Sequence, residues 1–344
     1  MRDIISGMEA ADVGVRSAPA GEGLRLLVVI PALDEEDTVA DVVRGVPNEI
    51  PGVGSIEVVV IDDGSSDDTA PRAQAAGARV VSHPVRRGVG AAFHTGIAAA
   101  LESGADLIVS IDADGQFDPA DIPALVEPVC SGRADFASAS RFVDPTLTPA
   151  MPIAKLWGNR LMSRLIGRLA GERFYDVSCG MRCYSRRAAL QLHLLGRFTY
   201  TQEVFLNLAF KDLRIVEVPI RVRGEREFGE SRVANNLWRY AARAALIIFR
   251  SYRDYHPMRL FGGTAAALAI PGVGLGGFLL FHYLTTGTFS PHKWAGFTAA
   301  VLLSLALLLL QMGVIGDMLN RHRIYLEELL LRVREQGCDP RRDD

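Results

Sequence analysis

Two long apolar runs near the carboxyl end most restrict what this chain can fold into. Residues 260–284 contain no Asp, Glu, Lys or Arg and one histidine, His282, and residues 294–315 contain no ionisable side chain at all. Each run reaches the roughly 20 residues that a helix needs to cross the hydrocarbon core of a bilayer. Two buried helices of a soluble core are the alternative, but such helices seldom continue this long without a polar face. We therefore predict two transmembrane helices within residues 259–320.

The charges that flank these runs predict their orientation. Three arginines closely precede the first run and two follow the second, whereas the loop between them carries only Lys293. The positive-inside rule then places both ends in the cytoplasm, including a tail at 321–344, and the loop outside. Residues 1–23 lack the apolar core of a signal peptide and are predicted to form a flexible tail. We expect a multi-pass protein of the cell membrane whose main domain is cytoplasmic.

The segment that precedes the first run, 236–258, is predicted to form an amphipathic helix. On a helical projection its four arginines fall in one stripe, and mainly aromatic and aliphatic side chains occupy the rest. This combination suits the headgroup boundary of a membrane. A helix that packs on a soluble domain with solvated arginines is the alternative.

The charge balance and the cysteines exclude some kinds of partner. The chain has 37 Lys and Arg against 40 Asp and Glu, a net charge of −3, so no basic field attracts nucleic acid. Cys179 and Cys183 lack a second pair of ligands at zinc spacing, and all four cysteines fit the reduced thiols of the cytoplasm. None of these patterns specifies an oligomeric state.

Short β-branched runs alternate with helical segments over residues 24–235. Strands are predicted at 24–33, 56–64, 78–84, 105–114, 135–140 and 214–222. This order is typical of an α/β domain with a mostly parallel sheet and helices on both faces. Ligands of such sheets bind beyond the carboxyl ends of the strands, so the residues that follow each strand are the candidates for chemistry.

Acidic residues follow the first, second and fourth of these strands. After the fourth, Asp112 and Asp114 stand two residues apart, and Gln116 comes two residues later. Oxygen ligands of this kind favour Mg²⁺ or Mn²⁺, which protein and diphosphate bind together. Ordinary turn and helix-cap residues are the alternative, and this suits residues 67–68 best. The sequence thus predicts a divalent metal site at one edge of the sheet.

Three motifs carry a resemblance to a known family. The sequences VVIPALDEE (28–36), VVVIDDGSSDDT (58–69) and IDADGQFDP (111–119) occur in this order. Together they resemble the family 2 glycosyltransferases of the GT-A fold, which is Rossmann-like. More narrowly, residues 24–335 look like the dolichol-phosphate mannosyltransferase group, in which paired carboxyl-terminal spans also occur.

The resemblance implies roles for individual residues. It implies a metal site of Asp112, Asp114 and Gln116, and catalytic roles for Asp112, Asp114 and Arg141. The residues expected to bind the nucleotide-sugar donor are Pro31, Leu33, Glu35, Ile61, Asp63, Asp112, Ala113, Asp114, Arg226 and Arg232. Those expected to bind the acceptor phosphate are Arg141, Arg160 and Arg182, although any single arginine is alternatively a solvated surface residue. The family usually has Asn where this chain has Asp34.

The activity that the resemblance implies is the inverting transfer of a sugar to a polyprenyl phosphate. Mannose from GDP-mannose is the expected donor, and UDP-glucose or another UDP-sugar is the alternative. A processive polysaccharide synthase shares the fold, but this chain lacks the Q-x-x-R-W element of such enzymes. A transferase with a soluble or protein acceptor would not need the spans. A non-catalytic, membrane-anchored protein that binds nucleotide sugars is the alternative from a different class.

Overall fold

The chain builds a seven-stranded sheet in which one strand runs opposite to the other six. The computed structural model describes residues 23–192, 201–223 and 237–337. The strand order is β3-β2-β1-β4-β6-β5-β7, and β6 is the antiparallel strand. The strands are β1 (Leu24–Ala32), β2 (Val53–Asp62), β3 (Arg79–Ser82), β4 (Leu107–Ser110), β5 (Phe136–Ser140), β6 (Arg182–Ser185) and β7 (Ile215–Pro219).

Helices cover both faces of this sheet. They are α1 (Val39–Gly45), α2 (Thr69–Ala75), α3 (Val89–Glu102), α4 (Ile122–Cys130), α5 (Ile153–Ala170), α6 (Arg186–Gln191) and α7 (Thr201–Ala209). Successive strand residues point to opposite faces, so Val28 of β1 joins the core beneath α1 and α4. Val29 faces α3, where a Cβ added at Gly96 would lie 2.2 Å from its Cγ1. The predicted α/β fold is confirmed.

Strand β6 is the element that the sequence analysis missed. Its four residues, Arg-Cys-Tyr-Ser, show neither the alternation nor the β-branched composition that marks the other strands. The strand forms because it inserts between β4 and β5, where its backbone groups pair on both sides. This insertion places the residues just before Arg182 beside the carboxyl end of β4, with consequences for the site.

Three long helices follow the sheet. They are α8 (Leu237–Tyr255), α9 (Pro257–Thr286) and α10 (Lys293–Gly337). Packing divides the chain into two units, Met1–Ile247 with Leu331–Asp344 and Ile248–Leu330. Helix α8 forms where the amphipathic helix was predicted, and its location at a membrane stays a prediction.

Two of these helices are long and apolar enough to cross a membrane: Pro257–Thr286 and Lys293–Arg334. Both predicted apolar helices are therefore present, and the second continues as one helix well beyond residue 315. Small residues allow α9 and α10 to approach closely. A Cβ added at Gly272 would lie 3.2 Å from Leu302 Cβ, and one added at Gly296 would lie 2.6 Å from Leu279 Cδ2. Close approach at small residues is typical of helices that pack within a bilayer.

Candidate active site

The three acidic strand ends lie at one edge of the sheet because β2, β1 and β4 are parallel neighbours. The loops that follow these strands are joined by hydrogen bonds. The backbone N–H of Asp63 donates to Ala32 O at 2.9 Å, and the Thr38 hydroxyl donates to Ala113 O at 2.7 Å. The carboxyl-terminal edge is thus one connected surface.

Asp34 occupies a backbone conformation that few residues adopt. Its φ is +46°, in the left-handed region, where Asn and Asp are tolerated better than other side chains with a Cβ. Its Oδ1 accepts the backbone N–H of Ser66 at 2.8 Å, and its own N–H donates to Ser65 Oγ at 2.9 Å. Asn supplies the same oxygen and tolerates the same φ. The Asp in place of the family's Asn therefore keeps the connection between the loops after β1 and β2.

Asp63 is engaged by protein groups on both carboxylate oxygens. His83 Nδ1 lies 2.8 Å from its Oδ1, the N–H of Arg87 donates to Oδ1 at 2.9 Å, and the N–H of Gly88 donates to Oδ2 at 2.7 Å. Only 3% of the residue is exposed. Asp63 therefore fixes the turn that leads into α3, and its expected contact with the nucleotide stays a prediction. His83, whose Nε2 lies 2.9 Å from Thr95 Oγ1, supports that turn from the core.

The other residues expected at the donor differ in their exposure. Pro31, Ile61 and Ala113 are buried, and their expected part in binding the donor stays a prediction. Leu33 and Glu35 are half-buried on the loop after β1. The loop is held in place because the N–H of Glu35 donates to Thr69 Oγ1 at 2.8 Å. Arg226 and Arg232 lie outside the described residues.

The two candidate metal-binding carboxylates follow β4 directly. Asp112 is half-buried, and its carboxylate packs so closely on Gly180 that an added Cβ would lie 2.2 Å from Oδ2. Asp114 is buried, and its Oδ1 accepts the N–H of Gln116 at 3.1 Å. The backbone carbonyl oxygen of Gln116 in turn accepts the backbone N–H of Arg223 at 3.0 Å. Among the described residues, no group of three His, Cys, Asp or Glu side chains is placed to hold a metal ion.

A small cleft of about 90 Å³ opens beside these carboxylates. Asp112 and Gln116 line it together with three cationic residues: Arg141, Lys155 and Arg223. A cleft lined by one carboxylate, one amide and three cationic side chains suits a metal ion and phosphate groups. The structure thus brings Asp112, Gln116 and Arg141 together, as the resemblance implied.

Lys155 and Arg223 were not among the residues predicted from the sequence to lie at the site. Arg223 follows β7, whose carboxyl end lies at the same edge as that of β5, so the rule of examining strand ends could have found it. Lys155 lies in the first turn of α5, far in sequence from any strand end. No pattern in the sequence marks that position.

Arg141, which follows β5, is held by a buried carboxylate. Its Nε donates to Asp176 Oδ2 at 2.6 Å, and its Nη2 donates to Asp176 Oδ1 at 2.9 Å and to Ser178 Oγ at 3.0 Å. Burial alone would raise the pKa of Asp176, but the hydrogen bonds and charge of Arg141 outweigh it and hold this pKa below its usual value. The guanidinium therefore has a fixed plane at the wall of the cleft.

Glu217 of β7 fixes the segment that carries Asp176. Its two carboxylate oxygens accept the backbone N–H groups of Tyr175 and Asp176, each at 2.7 Å. Burial raises the pKa of Glu217, although these two hydrogen bonds partly oppose the shift. The orientation of Arg141 thus depends on two carboxylates from different elements.

The structure places Arg182 in the core beneath the site. This side chain is fully buried, and it donates to the carbonyl oxygens of Cys179 and Thr201 at 2.9 Å and of Val177 at 3.3 Å. Its guanidinium also lies 5.3 Å from the ring centroid of Phe205. Arg182 therefore stabilises the core, and its expected role at the acceptor phosphate stays a prediction.

Arg160 is exposed on α5 and does not line the cleft. The structure therefore does not place it with Arg141, and its role in acceptor binding stays a prediction. Its neighbour Asn159 is turned toward the site: Oδ1 accepts the hydroxyl of Ser178 at 3.2 Å.

Comparisons with known proteins agree with this architecture. Residues 27–192 match the model of glycosyl transferase family 2. An N-acetylglucosaminyltransferase named for UDP-N-acetylglucosamine and dolichyl phosphate, from Methanococcus voltae, is 30% identical over 57% of this chain and 84% of its own length. An undecaprenyl-phosphate 4-deoxy-4-formamido-L-arabinose transferase from Pseudomonas paraeruginosa is 30% identical over 86% of this chain and 84% of its own length.

A solved structure shares the fold of the seven-stranded sheet and its covering helices, which we call the catalytic unit. Glucosyl-3-phosphoglycerate synthase from Mycobacterium tuberculosis, in complex with Mn²⁺, UDP-glucose and phosphoglyceric acid, superposes with a TM-score of 0.53. It is 25% identical and is matched over 69% of this chain and 82% of its own. Fold and site define the chain as a glycosyltransferase of the GT-A type. It belongs to glycosyl transferase family 2.

Proposed function

We propose that this enzyme transfers a sugar from a nucleotide-sugar donor to the phosphate of a polyprenyl lipid at a membrane surface. The observation that carries the proposal is the cleft in which Asp112 and Gln116 meet Arg141, Lys155 and Arg223. The names of two relatives, which act on dolichyl phosphate and undecaprenyl phosphate, support a lipid phosphate as the acceptor. The two candidate spans support a membrane location.

Asp112 and Asp114 would hold a divalent cation, Mg²⁺ or Mn²⁺, with Gln116 beside them. The residues fit such an ion because carboxylate and amide oxygens are the ligands it prefers. The Asp112 carboxylate also has the space that it needs, because residue 180 is a glycine and has no Cβ to occupy that space. When bound, the ion supplies positive charge to the diphosphate of the donor.

The cationic residues of the cleft would bind the acceptor. Lys155 and Arg223 would attract the phosphate, and Arg141, held by Asp176, would orient its oxygens for in-line attack. One phosphate oxygen forms a bond with C1 of the sugar, while the bond from C1 to the diphosphate breaks and its electron pair leaves with the nucleoside diphosphate. The configuration at C1 is therefore inverted. The phosphate is already anionic at neutral pH, so the reaction needs no strong general base.

We propose a uridine diphosphate sugar as the donor, in preference to the GDP-mannose that the resemblance implied. One relative is named for UDP-N-acetylglucosamine, and the similar solved structure contains UDP-glucose. Leu33 and Glu35 would border the base, and Arg226 and Arg232 would contact the diphosphate from the segment after β7. The positive-inside pattern assigns the catalytic unit to the cytoplasmic face.

The test is a donor screen with the purified full chain in lipid nanodiscs. Radiolabelled UDP-glucose, UDP-N-acetylglucosamine and GDP-mannose are each offered with undecaprenyl phosphate or with phosphoglycerate, with and without Mn²⁺. We expect label in the lipid fraction from a UDP-sugar, dependent on Mn²⁺ and abolished by Asp114→Ala. Transfer only to phosphoglycerate, or nucleotide binding without transfer, would overturn the proposal.

A further inference from the structure

Helix α5 (Ile153–Ala170) turns large apolar side chains toward solvent. Ile153 is 84% exposed, Trp157 64%, Leu161 48% and Leu165 41%. Residues four apart lie on one face of a helix, so these side chains form a continuous stripe. We call them the outer stripe. Their arrangement is the reverse of an ordinary surface helix, which turns such residues toward the core.

The other face of α5 already has its partner in the catalytic unit. Ser163 and Ile166 are buried on that face, where α5 packs on α7. The Ser163 hydroxyl accepts the N–H of Val177 at 3.3 Å. The helix is therefore fixed to the catalytic unit, and the outer stripe requires a different partner.

Arginines accompany the outer stripe. Arg160, Arg164 and Arg168 are exposed, and their spacing places them on the same half of the helix as the stripe. The helix contains no acidic residue. An apolar stripe interleaved with arginines matches the chemistry of an anionic bilayer surface, where apolar side chains enter the acyl boundary and cations contact headgroup phosphates.

We propose that α5 docks the catalytic unit on the anionic surface of the bilayer through the outer stripe and these three arginines. Lys155 in the first turn and Met151 just before it line the catalytic cleft. Lys155 points away from the stripe, so docking through the outer stripe holds the cleft a helix diameter, about 10–12 Å, from the headgroups, where a lipid phosphate is found. The proposal concerns the surface of α5, and its first test needs neither a donor nor an acceptor.

A second copy of this chain fits the surface less well. Two outer stripes that met across a symmetric interface would bring the three arginines of one copy near those of the other. The helix has no acidic residue to neutralise that repulsion. Anionic lipids provide the missing negative charge.

The first test measures the depth of Trp157 by fluorescence. The full chain carries Trp238→Phe and Trp294→Phe, so that Trp157 is its one tryptophan, and it is placed in nanodiscs whose acyl chains carry bromine. We expect bromine to quench Trp157 strongly and iodide in the buffer to quench it weakly. In a control chain, Trp157→Phe is added to the two other Trp→Phe changes, and Arg44→Trp places the one tryptophan at an exposed position of α1. It should show the opposite pattern.

Two results of this experiment would overturn the proposal. Quenching of Trp157 by iodide but not by bromine would show that the stripe faces water. Protection from both quenchers would show that a protein surface covers it.

The second test removes two of the three positive charges beside the outer stripe. Arg164→Gln with Arg168→Gln should reduce bromine quenching of Trp157 in nanodiscs that contain anionic lipid. Each arginine removed should lower the ratio of docked to undocked protein by about fivefold. In nanodiscs of neutral lipid the same variant should differ little from the parent chain. Equal quenching of variant and parent in anionic nanodiscs would contradict the role of the arginines.

Discussion

Arg141 and Asp176 form a two-point ion pair in which Nε and Nη2 of the arginine each donate to a different carboxylate oxygen, at 2.6 and 2.9 Å. Asp176 is fully buried, and 13% of the Arg141 side chain is exposed, at the cleft. The pair therefore connects the core of the sheet to the proposed phosphate site. Its geometry fixes the plane of the guanidinium before any substrate arrives.

Asp176→Asn should weaken both folding and transfer. Removing one partner of a buried pair typically costs about 3–5 kcal/mol of unfolding free energy, because the other charge stays buried without it. We expect the variant to unfold earlier in urea and to bind the acceptor more weakly. Unfolding in detergent micelles and steady-state kinetics provide the two measurements.

The effect of Asp176→Asn should depend on pH. The folded pKa of Asp176 lies below its usual value, so its contribution is present above the unfolded pKa of about 3.9 and is lost as pH falls through the folded pKa. The difference in unfolding free energy between parent and variant should therefore be large at pH 7 and shrink steadily below pH 4. A constant difference over this range would contradict the charge pairing.

Asp34 should tolerate Asn better than Ala. The left-handed φ costs a side chain with a Cβ about 1–2 kcal/mol, and Asn and Asp offset this by bonding locally. Asp34→Asn keeps the oxygen that accepts the N–H of Ser66, whereas Asp34→Gly keeps only the backbone freedom. Melting temperatures should rank parent and Asn first, Gly next and Ala last. If Ala equalled Asn, the loop connection would contribute nothing to stability.

Much of the sheet follows from the sequence, because buried parallel strands are continuous apolar runs. Val28, Val59 and Val109 each lie in such a run, and their strands are parallel neighbours in a sheet that was predicted to be mostly parallel. The acidic residues after these strands meet at one edge for the same reason. Strand pairing alone therefore predicts where Asp112 lies relative to the loop that carries Glu35.

Contacts that depend on tertiary packing were not predictable. Asp176 stands 35 residues from Arg141 in sequence, and no periodicity connects the two. Arg182 stands two residues after Gly180 in a segment that shows no strand pattern, but the insertion of β6 between two strands buries it. The outer stripe of α5 shows the ordinary spacing of a core face, and only the structure reveals that it faces outward.

Gly180→Ala should impair binding of the metal and the donor diphosphate. The added Cβ would lie 2.2 Å from Asp112 Oδ2, so the carboxylate must move. Displacing a ligand through its surroundings typically costs 10- to 100-fold in metal affinity, and we expect a loss of about that size. Calorimetry of Mn²⁺ and UDP binding measures it. Gly158→Ala, where the Cβ meets nothing within 4 Å, is the matched control and should bind as the parent does.

Lys155 and Arg182 should respond to substitution in opposite ways. Lys155→Gln removes an exposed cation of the cleft, so we expect the KM for the acceptor to rise about tenfold, with stability unchanged. Arg182→Gln deprives buried carbonyl oxygens of their donor and should cost about 3 kcal/mol of unfolding free energy. Kinetics and urea unfolding of both variants distinguish the two roles. A stable Arg182→Gln with a raised acceptor KM would support the expected role of that residue at the acceptor phosphate.

Glu217→Gln should reduce transfer although Glu217 does not line the cleft. Gln has one acceptor oxygen where Glu217 uses two, so its amide would face one of the N–H groups of Tyr175 and Asp176. The segment would shift, Arg141 would lose its fixed plane, and the KM for the acceptor should rise while donor binding stays unchanged. Glu217→Asp, which retains two acceptor oxygens, should recover part of the loss. Asp135→Asn is the matched control. The Asp135 carboxylate also accepts a backbone N–H, that of Arg214, and the Nε of the same arginine, but it lies at the other end of β5, away from the cleft. It should lower stability without changing the acceptor KM, and an equal kinetic effect of both variants would mean that Glu217 acts only through the stability of the fold.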